Sequence, residues 1–345
     1  MKFRFVLPLM VLFGSPPVLG VETLHPVGVR SVMAPEPERG ATLEIAAWYP
    51  AATGGTLELV GDSAVFAGVP ARRDAPIASG SFPVILLGHG GMRAAPYLGA
   101  WIASRLAARG FFVIAPRSPN PADLMAENAV RELWLRPSDL SAALTVVEQD
   151  PDFSRAIDKG RVGALGFQFG GTSILALAGA RIDGQAYARS CDEDGTGLDC
   201  AWFARSGVDL HKVDVDKLER PLLDRRVKSV VAVDPELAAS FSTVSLPGIA
   251  IPVHLINLGQ PVEIPPGLGA SGLLKSIPRS RYDLLPDATR FDAFNPCKPD
   301  GAAILRDDGD DEGLCDAGKR PRAQIHEELA AMIAAAFAQD LQDGM

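Results

Sequence analysis

The chain has 345 residues, enough for one large α/β domain, and 47% of them are apolar, enough for a buried core. Its 33 Lys and Arg stand against 42 Asp and Glu, a formal charge of −9. That balance offers no basic footprint for nucleic acid or an anionic membrane surface, and both are excluded as expected partners.

Residues 1–20, MKFRFVLPLMVLFGSPPVLG, open with Lys2 and Arg4, run apolar from Phe5 to Phe13 and close on small residues around Gly20. The layout predicts a secretory signal peptide, a mature chain starting at Val21 and a periplasmic or secreted protein. An uncleaved anchor is the alternative, although the run falls short of the roughly 20 apolar residues that span a bilayer. Residues 21–345 then read as a single domain. TLEIAAWYPA alternates apolar and polar residues up to Pro50, as a strand at a sheet edge would. The next thirty residues, rich in Gly, Ala and Pro, read as surface loop. FPVILLGHGG, from Phe82, has the continuous apolar run of a strand buried on both faces. A helix follows, with Leu98, Ile102 and Leu106 at helical spacing and a stop at Gly110.

FFVIAP reads as another buried strand and residues 137–149 as a helix with Pro137 in its first turn. VGALGF, a helix from Gly170 to Ala180, and VKSVVAVDP continue the alternation. PVHLINLG and RYDLLP add two short strands, and a closing helix spans Ala323 to Leu341. The pattern predicts an α/β fold, a mostly parallel sheet with helices on both faces. Residues 183–226, polar and cysteine-bearing, read as an insertion or small cap.

Export would place the four cysteines in an oxidising compartment. Three pairings are open. The local one, Cys191–Cys200 and Cys297–Cys315, closes two Asp- and Gly-rich loops that lack core formers, at about 2–4 kcal/mol per bridge. The cysteines show no Cys-x-x-Cys spacing and the acidic run 307–311 no calcium-loop pattern, so neither metal nor cofactor is implied.

In such sheets ligands bind beyond the carboxyl ends of the strands. The residues there are Gly88-His89-Gly90-Gly91, Gly166 to Gly171, Asp234, and Asp287 to Phe294. LLGHGG followed by LGFQFGG resembles the α/β-hydrolases, whose first turn shapes an oxyanion hole and whose G-x-S-x-G turn is the nucleophile elbow. VGVRSV…WYP, RPSDL at Arg136 to Leu140, and DATRFDAFNPC are similar to the dienelactone-hydrolase-like branch related to platelet-activating-factor acetylhydrolases, from about Val27 to Phe337. The resemblance implies elbow glycines at Gly166 and Gly170, oxyanion donors on the backbone of Gly91 and Phe169, and triad positions at 168, 234 and 290.

Two of those three positions have lost their chemistry. The nucleophile position is Gln168, whose amide cannot form an acyl intermediate. The histidine position is Arg290, whose guanidinium accepts no proton at neutral pH. Asp234 alone keeps its type, so no catalytic set is intact. Ser173 falls inside a helix, where its hydroxyl is expected to bond back to a carbonyl. His89 reads as a turn residue of the oxyanion loop and His254 as a core imidazole; His25, His211 and His326 are not placed as a triad histidine would be. Arg290 and Asp234 are expected to form a buried ion pair with the Gln168 amide beside them, or else Arg290 points to solvent. These readings imply a catalytically silent hydrolase-fold protein with a ligand-binding, regulatory or scaffold role, open to a small ester or carboxylate. The alternative is a carboxylic-ester hydrolase, esterase- or lipase-like, with a non-standard nucleophile.

Overall fold

The continuous apolar runs form the centre of a ten-stranded mixed sheet of order β10-β9-β8-β7-β5-β6-β2-β1-β4-β3. The computed structural model describes residues 24–93, 96–117, 124–192, 195, 197–316 and 318–342; the expected leader lies outside the described residues. The strands are β1 (Val27–Glu36), β2 (Ala41–Pro50), β3 (Thr56–Val60), β4 (Val69–Arg73), β5 (Phe82–Gly88), β6 (Phe112–Pro116), β7 (Ile157–Phe167), β8 (Val227–Val233), β9 (Val253–Leu258) and β10 (Ser280–Leu285). β5 to β10 are mutually parallel, while β2 pairs antiparallel with both β6 and β1.

The helices are α1 (Ala100–Ala108), α2 (Ala126–Ala129), α3 (Glu132–Gln149), α4 (Phe169–Leu177), α5 (Gly184–Arg189), α6 (Cys200–Arg205), α7 (Val215–Leu218), α8 (Gly301–Asp308) and α9 (Arg322–Asp340). Successive β5 side chains take opposite faces. Val84 and Leu86 join one apolar core with Leu140, Leu144 and Ile174 of α3 and α4. Ile85 and Leu87 join the other with Ile102 of α1 and Phe337 of α9. Burial on both faces is why these strands lack alternation.

Between residues 183 and 226 the described residues include three short helices, α5 to α7. The disulfide Cys191–Cys200 joins the end of α5 to the start of α6. The second disulfide, Cys297–Cys315, brackets α8.

Three expectations need correction. β2 is an interior strand, flanked by β6 and β1, and Pro50 is tolerated because it is the last strand residue. The supposed surface loop after it contains the β3–β4 hairpin. Leu57 and Leu59 of β3 are exposed and only Val60 at its end is buried, so that strand has no alternating apolar pattern to announce it. Helix α3 starts at Glu132, which places Pro137 inside it. Its start is fixed by Glu132, a buried carboxylate gripped by Arg39 at 2.7 Å and by Arg136 at 3.2 Å.

Candidate functional site

Gln168 caps α4 at the turn out of β7, with φ 52° and ψ −121°. The turn is this sharp because Gly166 and Gly170 carry no side chains. A Cβ on Gly166 would lie 2.3 Å from the Gly170 carbonyl oxygen, and one on Gly170 2.2 Å from that of Gly88. Four non-glycine residues among those described have positive φ, and three, Gln168, Asp234 and Leu237, sit at this turn or the adjoining end of β8. Strain of this kind concentrates at functional sites.

The amides of Gly91 and Phe169 donate to no acceptor among the described residues. Phe169 is the first residue of α4, where an N–H has no intrahelical partner. A Cβ placed on Gly91 would come within 3.3 Å of Gln168 Oε1 and 2.8 Å of Glu236 Oε1, so both side chains lie against this glycine. Arg136 braces the same loop, donating to the carbonyl oxygens of Gly91 (3.2 Å) and Met92 (2.7 Å) while lying over the Phe169 ring. His89 fixes its other side: Nε2 is 2.7 Å from the Ala293 carbonyl oxygen, and burial lowers the imidazole pKa to about 4. It is neutral at pH 7 and bonded to backbone.

The expected ion pair is not formed. The Arg290 guanidinium lies over its neighbour's ring, 4.6 Å from the centre of Phe291, and pairs with no carboxylate among the described residues. The Gln168 amide donates to the Arg290 backbone carbonyl at 3.3 Å rather than to either charged group. Neither expected alternative describes Arg290, which is half-buried and stacked. Asp234 is fully enclosed instead. Its Oδ1 accepts from Asn257 Nδ2 (2.7 Å) and the Leu258 amide (3.0 Å), and its Oδ2 has no partner. Burial pushes this carboxyl up to about 7 against those two bonds and the charge of Arg290.

Glu236, two residues on, was not singled out from the sequence. It is buried and without an ion-pair partner among the described residues; burial, reinforced by the charge of Asp199, pushes it up to about 8 against Arg136, Arg290 and Arg93. At neutral pH it is therefore mainly a neutral carboxylic acid, able to donate a hydrogen bond beside Gly91. Its only sequence signal is an acidic residue just past a strand end.

The remaining candidates lie apart from the turn's chemistry. Ser173 donates to the Phe169 carbonyl at 3.0 Å, as expected of a mid-helix serine. His254 meets Asp283 at 2.6 Å, so it is bonded on one nitrogen, while its Nδ1 has no partner. His326 is buried and stacks on Trp101 with ring centres 3.7 Å apart; His211 faces Asp192, and His25 meets the edge of Phe82.

The strand order, the parallel centre and the glycine-flanked turn after β7 describe one architecture. A ferulic acid esterase from Streptomyces cinnamoneus has a similar structure: TM-score 0.56, 16% identity, 94% of this chain and 93% of that one covered. This chain has the α/β-hydrolase fold. A dienelactone hydrolase from Anabaena variabilis is also similar, at TM-score 0.47 and 14% identity over 92% of this chain and 99% of that one. No family model and no curated protein matches the sequence. Likeness at these identities concerns fold, so the chemistry of this α/β-hydrolase-fold chain is argued from its own residues.

Proposed function

We propose that this is an exported, catalytically silent α/β-hydrolase-fold protein that binds a small ester or carboxylate at the former elbow. The observation that supports it most is Gln168 in the strained elbow conformation, with the unbonded amides of Gly91 and Phe169 beside it. Backbone donors survive the loss of a nucleophile, and two convergent N–H groups suit a carbonyl or carboxylate oxygen. Turnover needs a nucleophile and a base. Gln168 and Arg290 supply neither, and the hydroxyls of Thr172 and Ser173 in the following helix are both engaged with backbone carbonyls. Two disulfides fit an oxidising compartment outside the cytoplasm.

A fluorophosphonate probe tests the silence. The mature chain is expected to remain unlabelled under conditions that label a serine esterase completely. Labelling in a 1:1 ratio at a mapped serine or threonine would replace this reading with that of an esterase using an unconventional nucleophile.

A further inference from the structure

The two ends of the sheet differ. β10 closes one end and carries Arg281 and Asp283, charges that discourage a further strand, whereas β3 closes the other with leucines. Leu57 and Leu59 are 64% and 58% exposed on one face of β3. Arg72 and Pro70, opposite them on β4, are exposed as well, so that face of the hairpin is open to solvent.

The backbone of the same two leucines is also left over by the sheet. The Asp74 amide donates to the Val29 carbonyl of β1, so the even-numbered residues at β4 turn their backbone groups to β1. Val69, Ala71 and Arg73 therefore turn theirs to β3, where they meet Val60, Glu58 and Thr56. The N–H and C=O groups of Leu57 and Leu59 point the other way, off the free edge. Natural edge strands are blunted by charge, proline or a bulge. The one charge on this edge is Glu58, and Arg73 donates to both of its carboxylate oxygens at 2.6 Å.

Symmetry and charge select the partner. A two-fold axis through Glu58 sets Leu57 opposite Leu59 of a second copy, and Leu59 opposite that copy's Leu57. Both become hydrogen-bonded antiparallel pairs, which satisfies every outward N–H and C=O of the two leucines. Their side chains then pair leucine to leucine on the open face. The axis also brings the two Glu58 carboxylates together, and each comes with its own Arg73, so the row across the axis carries no net charge.

We propose that two copies of this chain pair antiparallel along β3, joining their sheets across a two-fold axis at Glu58. The strand is 5 residues long. A contact of that length buries less than the roughly 1,200 Å² of a stable complex, so the dimer is weak, with a Kd on the order of 10–100 μM. The pairing is independent of what the elbow binds.

Sedimentation equilibrium of the mature chain from about 1 to about 500 μM tests this. The natural chain is expected to pass from monomer to dimer over that range and to stop there, because the pairing consumes the edge. Leu57→Pro removes an outward N–H without touching the ladder to β4, and Leu59→Lys puts a charge on the open edge. Each is expected to weaken association at least about tenfold, with the melting temperature in dilute solution held within about 2 °C. Leu59→Lys decides alone should Leu57→Pro lower that temperature. Arg73→Gln leaves the facing carboxylates unbalanced and should weaken the dimer about fivefold, and adding Glu58→Gln should restore it. A chain that stays monomeric up to about 500 μM overturns the proposal. So does a dimer that Leu59→Lys leaves intact, which would lie on another face, or assembly that continues beyond the dimer.

Discussion

Two groups of buried charges lie close to the Gly91–Met92 loop, one reaching it through Arg136 and the other through Glu236, and they differ in how they are paired. In one, Arg39 holds Glu132 at 2.7 Å and Asp139 at 2.6 Å, while Arg136 adds a bond to Glu132. Burial pushes both carboxyls up; the bonds from Arg39 and Arg136 more than offset it at Glu132, which lies below the ordinary value, whereas Asp139 stays raised, at about 6, against its bond to Arg39. In the other, Asp234 and Glu236 are buried with no guanidinium paired with them among the described residues, and burial pushes them up to about 7 and about 8. The first group joins the β1–β2 turn to α3 and so braces the loop. In the second, Glu236 lies against Gly91 and the Asp234 Oδ2 has no hydrogen-bond partner among the described residues. Pairing marks scaffold here, and its absence marks the site.

Breaking the paired group should produce the largest effect. Arg39→Met strands two carboxylates and is expected to cost about 3–5 kcal/mol, read as a lowered denaturation midpoint. A loss below about 1 kcal/mol would mean that the network is solvated.

The unpaired group should respond to pH in a defined direction. Folding raises the pKa of Asp234 to about 7 and that of Glu236 to about 8, above their ordinary 3.8 and 4.5. Their stabilising contribution is therefore complete below about pH 4 and is lost as pH rises through 7 and 8. Glu236→Gln is expected to be about 2–4 kcal/mol more stable than the natural chain at pH 9, and the gap should close at pH 4. Chemical denaturation at both pH values checks this; parallel curves for the two proteins would refute it. Butyrate affinity should fall through the same upper range, because an ionised Glu236 repels the anion beside Gly91. The Glu236→Gln variant should lose that dependence.

Arg290→Met should have the smallest effect. A half-buried guanidinium stacked on Phe291 contributes about 1 kcal/mol or less. A loss above about 3 kcal/mol would show that it does hold a buried carboxylate.

The sequence made the elbow legible because Gly166, Gly170 and the apolar strand before them answer to steric demands only a few residues long. The parallel centre was legible for a similar reason: burial on both faces leaves an unbroken apolar run. The hairpin of β3 and β4 was not, since its leucines face outward. Arg39, in PEPERG, looks like part of a solvated charge run, and its partners lie 93 and 100 residues away. Glu236 had no legible role because an unpaired buried carboxyl has no spacing to betray it. The same lack of local signal hid the orientation of Arg290, which turns onto its neighbour rather than toward Asp234.

The most direct measurement is hydrolysis of p-nitrophenyl butyrate by the mature natural chain beside a Gln168→Ser, Arg290→His double variant. The account predicts no turnover above the uncatalysed rate by the natural chain and clear turnover by the double variant. Turnover by the natural chain at a rate matching the double variant would contradict it, and a silent, folded double variant would overturn the placement of the lost histidine at position 290.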